Sequence, residues 1–265
     1  MSNLILKKPK VHLICPDPHA HPDYNNDRAD WMGKLIADIK PDLVVNMGDA
    51  ADLASLSSFD KGKASFHGRS YGADIAAHLD FQERMWAPMK KTKRKMPYRI
   101  ILEGNHEHRI KRALEFDPHL ASGGNGFGIS FKDLDFDSYY QEVYEYKGST
   151  PSIATFDGVS YAHYFISGVM GRPIGGEHHA YSLLTKNYTS CTAAHSHTLD
   201  FATRTDTHGK KLMGMVCGVY QDYDSPWAGH VNDLWSRGCL IKRNVEDGVY
   251  DFQWISMDSL RKEYA

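Results

Sequence analysis

Cysteine is scarce: Cys15, Cys191, Cys217 and Cys239 are the only four in 265 residues, far apart and without a C-x-x-C pair. That spacing excludes a thiolate zinc site and a small disulfide scaffold, and it leaves the four as buried apolar residues. No apolar run reaches the length of a membrane span, and the opening "MSNLILKKPK" lacks a signal-peptide core. The expectation is a cytoplasmic protein with no membrane partner. Neither sign of charge dominates, with a formal net charge of -2. That speaks against a surface built throughout for nucleic acid while leaving room for a local basic groove. The one glycine-rich stretch, "ASGGNGFG" (Ala121 to Gly128), has no Lys-Ser/Thr end and follows no strand, so it reads as a plain loop.

What is present in ordinary amounts is apolar and charged sequence, 42% and 24%, which rules out a disordered or fibrous class. The length suits one large domain, and a single domain over residues 1–265 is expected. Histidine is the unusual residue, at 15, and its placement carries the information.

The first half alternates strand and helix patterns. Val11 to Ile14 and Leu43 to Met47 are short apolar runs flanking Asp30 to Lys40, where Trp31, Leu35 and Ile39 recur at helical spacing before Pro41. A second helical stretch, Ala73 to Lys90, presents Ala77, Phe81 and Met85 on one face and leads into the strand Tyr98 to Leu102. This order implies a parallel sheet covered by helices. In the second half, "IATFDGVSYAHYF" reads as a hairpin about Asp157-Gly158, and a helix is expected over Glu177 to Asn187. Cys191 to Ala194 follows, then strand pairs around "DTHG" and "NVEDG". This half is richer in antiparallel pairs, which suggests a second sheet packed on the first.

Five of these strands end in metal-capable groups. Asp17 and His19 follow the first, Asp49 the second, Asn105 and His106 the third, His163 the strand Val159 to Ala162, and His195 and His197 the run Cys191 to Ala194. In open α/β sheets, loops beyond the carboxyl ends of the strands converge on a ligand crevice, so these groups are expected to meet. Each alone has a plainer reading, as a turn or a solvated histidine. Together the oxygens and imidazoles exceed one tetrahedral zinc and fit two ions of mixed preference, such as manganese, iron or zinc, sharing one carboxylate.

The series D-P-H (Asp17 to His19), G-D-A-A-D (Gly48 to Asp52), G-N-H-E (Gly104 to Glu107), His163 and H-S-H (His195 to His197) resembles the calcineurin-like metallophosphoesterases over about two thirds of the chain. Within that superfamily, "EGNHEHRI" with "YAHYF" and "WSRGCLI" is similar in texture to enzymes encoded by tailed phages and prophages, which would place the protein in a host cytoplasm. The resemblance implies an α/β fold of two facing mixed β-sheets flanked by helices. It implies one cation on Asp17, His19, Asp49 and His197, a second on Asp49, Asn105, His163 and His195, and Asp49 as the bridge. The ions would be divalent transition metals, manganese first, with iron, zinc or nickel as alternatives. Ala194 stands where the family usually has glycine, and no D-R-G follows Asp49, which argues against the serine/threonine protein phosphatase branch.

The implied reaction is hydrolysis of a phosphate ester, as a phosphodiesterase or phosphomonoesterase, by a hydroxide shared between the ions. His106 would protonate the leaving alcohol. Asp52 would orient His106, the alternative being a helix N-cap. Arg109 would offer a fork-shaped contact to a phosphate oxygen, the alternative being a solvated first-turn residue. The substrate is a phosphate ester, with nucleotides and nucleic acids among the candidates. Two rival readings remain. An Mre11-like nuclease would use the basic run "KKTKRK" (Lys90 to Lys95), although that run precedes a strand's amino end and the chain ends without the extra domain of such nucleases. A non-catalytic metal-dependent binding module would be expected to have lost ligands that are all present here.

Overall fold

A computed structural model describes residues 10–91, 95–121 and 128–265. The core of the first sheet is four parallel strands, β1 (Lys10–Cys15), β2 (Leu43–Asn46), β3 (Tyr98–Leu102) and β4 (Glu142–Tyr144). The second sheet contains β5 (Ala154–Phe156) and β6 (Val159–Ala162). A small hairpin, β7 (Ile166–Ser167) with β8 (Arg172–Pro173), precedes its remaining strands β9 (Cys191–Ala193), β10 (Leu199–Thr205) and β11 (Lys211–Cys217). The chain then returns to the first sheet with β12 (Gly238–Glu246) and β13 (Val249–Ser256). The strand orders are β13-β12-β1-β2-β3-β4 and β10-β11-β9-β6-β5.

Period-two alternation sends each strand of the first sheet to two different cores. Ile14, Val45, Ile100 and Leu240 lie side by side and face the second sheet, meeting Tyr161 and Met215. Leu13, Val44 and Ile241 face the other way onto α1 (Asp27–Ile39) and α2 (Tyr71–Lys91), against Met32, Ile36, Phe81 and Trp86. On the far side of the second sheet, Ala162, Ala193 and Val216 pack on Leu183 and Leu184 of α5 (His179–Asn187). The shorter helices are α3 (His108–Phe116), α4 (Phe136–Tyr139) and α6 (Met257–Tyr264). The result is helix, sheet, sheet, helix in four layers, the two facing mixed sheets expected.

Two features depart from the sequence reading. The hairpin around "NVEDG" does not join the second sheet: β12 pairs antiparallel with β1 and extends the first. The second sheet is also less antiparallel than expected, because β6, β9 and β11 run parallel to one another. Both are long-range pairings, which local patterning does not encode. Of the basic run, Lys90 and Lys91 close α2 and Lys90 pairs with Glu83 at 2.9 Å, while residues 92–94 lie outside the described residues, as does most of the glycine-rich stretch.

One charge is buried between the sheets. Lys242 of β12 is fully buried, donates to Thr192 Oγ1, and lies 4.2 Å and 4.7 Å from the ring centroids of Tyr250 and Tyr161. Burial pushes its pKa down to about 7. Between that value and the ordinary lysine value near 10.4 the unfolded chain holds a proton that the folded chain does not, so stability rises with pH over this window. Lys242→Met should therefore stabilise the protein near pH 7, on the order of 3 kcal/mol, with the advantage shrinking toward pH 10. Urea unfolding of both proteins across that range checks it, and a difference that stays flat with pH would contradict it.

Candidate metal centre

All the candidate ligands leave strands at one edge of the two sheets. Asp17 and His19 follow β1, Asp49 follows β2, Asn105 and His106 follow β3, His163 follows β6, and His195 and His197 follow β9. Five of them, Asp17, His19, Asp49, His195 and His197, sit at positive φ between 40° and 67°. Asp and His enter this left-handed region more readily than most residues, yet each such residue costs on the order of 1–3 kcal/mol. The turns re-aim side chains that would otherwise continue along the strand direction. Main-chain bonds hold the first two loops together: His19 N donates to Asp49 O at 2.8 Å, and Ala20 N to Ala50 O at 2.9 Å.

The ligand atoms converge as two groups about Asp49. Asp17, His19 and His197 bring nitrogen and oxygen atoms within 4.8 Å of one another, and so do Asp49, His163 and His195. Asn105 joins the second group, its Oδ1 lying 3.0 Å from His163 Nε2, which is 3.3 Å from Asp49 Oδ2. A third cluster of His19, Asp49 and His106 overlaps both. His19 Nε2 and His197 Nε2 face each other at 3.2 Å, and the buried Asp17 Oδ1 has no hydrogen-bond partner among the described residues. An orphaned carboxylate oxygen beside clustered imidazole nitrogens is costly in a dry site unless a cation accepts it, so the donor set fits divalent metal ions.

Electrostatics gives the same picture in protons. Burial opposes ionisation of Asp17, but His163 and His197 outweigh it and hold the carboxyl down to about 2. Burial likewise opposes charge on His163, yet Asp49 and Asp17 raise its pKa well above the usual imidazole value. His195, exposed at the rim of the site, goes the other way: partial desolvation there and the His163 charge bring its pKa down to about 4. The buried carboxylates thus require positive charge beside them. His163 Nδ1 bonds to Met47 O at 2.9 Å, which fixes the tautomer and leaves Nε2 free to ligate.

Glu107 is the residue that sequence reasoning missed. Fully buried, its carboxylate accepts from Asp49 N at 2.9 Å, Gly104 N at 2.8 Å and Ala51 N at 3.0 Å, tying the β2 and β3 loops into one unit. Burial and the Asp49 charge push its pKa up to about 7, against the pull of those donors. The signal was its place as the last letter of G-N-H-E, but an acid with no site role reads locally as a solvated helix start.

His106 stands beside this unit. Its main-chain N–H donates to Asp49 Oδ1 at 2.8 Å, and its Nδ1 lies 2.6 Å from Asp52 O. Asp52 therefore reaches His106 through its main-chain carbonyl, while its carboxylate lies closer to His19, with Oδ2 3.4 Å from Nδ1. Nor does Asp52 cap a helix N-terminus with a side-chain bond; the 3-10 turn that follows, Ala54–Leu56, has Leu53 at its N-cap. Arg109 is not a solvated first-turn residue: Nη1 donates to Asp52 O at 2.8 Å and Nη2 lies 3.0 Å from His106 Nε2. Burial, then Arg109, pushes His106 down to about 3, so the free imidazole is neutral. The neighbouring histidines are otherwise engaged: His108 bonds Glu103 Oε1 at 2.9 Å and His179 bonds Ser196 Oγ at 3.3 Å. Arg172 lies exposed on β8.

A family model described as calcineurin-like phosphoesterase matches residues 12–237. Among solved structures, the protein TT1561 of Thermus thermophilus is similar at 10% identity, covering 93% of this chain and 99% of that one with a TM-score of 0.36, a likeness too distant to carry an argument. No curated protein matches the chain.

Gly104 gives the sharpest test of how the centre is built. A Cβ there would stand 2.1 Å from Asp49 Oδ1 and 2.2 Å from Asp49 N, so any larger residue must displace Asp49. Gly104→Ala should remain folded by far-UV circular dichroism, lose about 1–3 kcal/mol of stability, and bind divalent metal more weakly by at least ~10-fold. Unchanged metal affinity in calorimetry would show that Asp49 is not held in this way.

Proposed function

The chain belongs to the calcineurin-like phosphoesterase family, and on that premise we propose that it hydrolyses phosphate esters at a centre of two divalent cations. The proposed ligands are Asp17, His19, Asp49 and His197 for one ion and Asp49, Asn105, His163 and His195 for the other. The observation that carries this reading is the convergence of donor groups from four other strand exits around the buried carboxylate of Asp49, with the unpartnered Asp17 Oδ1 among them. When bound, two such cations would supply Lewis acidity toward the phosphoryl oxygens and a water of lowered pKa.

The chain's own residues do the rest. Asn105 contributes a neutral oxygen, so the site gains a ligand without another negative charge to repel the ester. Glu107 holds Asp49 in place by accepting from the main-chain N–H groups of Asp49 and Ala51 and from that of Gly104 in the facing loop. His106, with Nδ1–H given to Asp52 O, keeps Nε2 as the atom that exchanges a proton with the leaving oxygen. In the free protein that nitrogen accepts from Arg109. An incoming phosphate ester draws the guanidinium onto its oxygens in a fork-shaped contact and brings negative charge beside the imidazole, which favours the protonated form that donates to the departing alkoxide. Asp52 thus acts as a positioning residue for His106, and its carboxylate does the same for His19.

His106→Ala separates these roles. The variant should retain its metal and lose about 10²–10⁴-fold in kcat/KM on alkyl esters, whose leaving group needs a proton. Nitrophenyl esters, with a leaving group stable as an anion, should lose much less. Metal-loaded protein assayed on both ester types, before and after chelation, gives the answer with metal content measured in the same preparation. Equal losses on both substrates would remove the acid role, loss of an ion would make His106 a ligand, and turnover surviving chelation would end the metal-dependent reading.

A further inference from the structure

A second feature lies on the His106 flank: a cavity of about 230 Å³ between the segment after Asp52 and helix α3, with Lys61, Arg109, Arg112, Ser58, Phe66 and Phe116 among its walls. We propose that this cavity binds the leaving-group side of the substrate and that the group it accepts is a nucleotide, with a planar base against the phenylalanines and a second phosphate on Lys61 and Arg112. Its assignment to the leaving group rests on the phosphoesterase reading; the ligand class rests on the cavity alone.

The link to the metal centre is Arg109, which forms part of the cavity wall and at the same time lies 3.0 Å from Nε2 of His106. A substituent on the departing oxygen is thereby led toward the cavity and away from the histidine ligands. The volume is below the roughly 300–1,000 Å³ of sites that enclose a whole small-molecule ligand, so the cavity suits part of a ligand whose remainder sits on the cations.

Its chemistry is cationic and aromatic together. Among the described residues no carboxylate lies within ion-pairing distance of Lys61 or Arg112, and the hydrogen bond of Arg112 is to Ser58 Oγ at 3.4 Å. The acid on the wall, Asp117, caps the following 3-10 turn by accepting from His119 N at 3.2 Å. Positive charge is therefore in excess, and two cations with a hydroxyl on the walls of one cavity match a phosphate dianion. Phe66 is a fixed wall, because the Arg69 guanidinium lies 5.5 Å from its ring centroid and is itself tied to Asp60 and Ala54 O at 2.9 Å. Phe116, 82% exposed, is a large apolar ring left open at the mouth. Aromatic faces accept any base by stacking, whereas an aliphatic alcohol would use neither the rings nor the spare charge.

Calorimetric titration of the metal-loaded protein with thymidine 3′,5′-bisphosphate and with phenyl phosphate tests this. Both compounds can place one phosphate on the cations, but only the first carries a base and a second phosphate. The bisphosphate should bind at least ~10-fold more tightly, by the usual strength of charge-assisted and stacking contacts. The double variant Lys61→Ser with Arg112→Ser should weaken the bisphosphate by about 5-fold, Phe116→Ala, a change at an exposed ring, should weaken it by about 5- to 10-fold, and the three together should bring the two affinities within about 2-fold of each other. Thermal unfolding of each variant confirms that it is folded. Equal affinities in the parent protein, or a preference that survives all three substitutions, would overturn the proposal. Selective bisphosphate binding in a protein that hydrolyses no ester would support the ligand class and sink the hydrolytic reading, whereas ester hydrolysis without that selectivity would do the reverse.

Discussion

The site depends on one buried carboxylate that grips main-chain groups of two loops. Glu107 accepts three main-chain N–H bonds, two from the Asp49–Ala51 segment and one from Gly104. Hydrogen bonds to a charged group contribute about 1.5–3 kcal/mol each, and a buried acid left without them would be strongly destabilising. The two loops are therefore fixed relative to each other, and the position of Asp49 with them. Gly104, whose lack of a side chain lets Asp49 approach, and His106, whose N–H holds Asp49 Oδ1, complete the cradle.

From that cradle the rest follows in order. Parallel strands deliver their carboxyl ends to one edge, and left-handed residues turn the emerging side chains inward. Carboxylates and imidazoles are then packed so closely that protons in the free protein, or cations in the bound one, must balance them. The strain of those backbone conformations is tolerated because strand pairing, inter-loop hydrogen bonds and Glu107 over-determine them. His106 and Arg109 lie on the flank that leads into the cavity, so the proposed chemistry and the proposed specificity share one boundary.

Much of this was legible from residue order. Ile14, Val45 and Ile100 alternate with polar or oppositely facing neighbours, and that local period placed three strands and hence the loops that follow them. That Asp17, Asp49 and Asn105 leave their strands at one edge follows from the parallel order of β1, β2 and β3. Contacts set by non-local geometry were not legible. Nothing near Cys239 specifies that β12 pairs with β1 rather than with the second sheet, and nothing near β9 specifies parallel partners on both sides. The role of Glu107 was hidden because its partners are main-chain groups of another loop. Asp52 was placed beside His106 by its position in the chain, but which of its atoms faces the imidazole, the main-chain carbonyl oxygen, was not legible.

The central claim is that Asp49 is shared by two cations. Metal analysis of the protein and of Asp49→Asn, paired with anomalous diffraction from crystals of each, tests it directly. Two ions per chain, on either side of the Asp49 carboxylate, are expected in the parent protein, and at most one, with hydrolysis largely lost, in the variant. A single ion in fully active parent protein, or two ions and full turnover in Asp49→Asn, would contradict it.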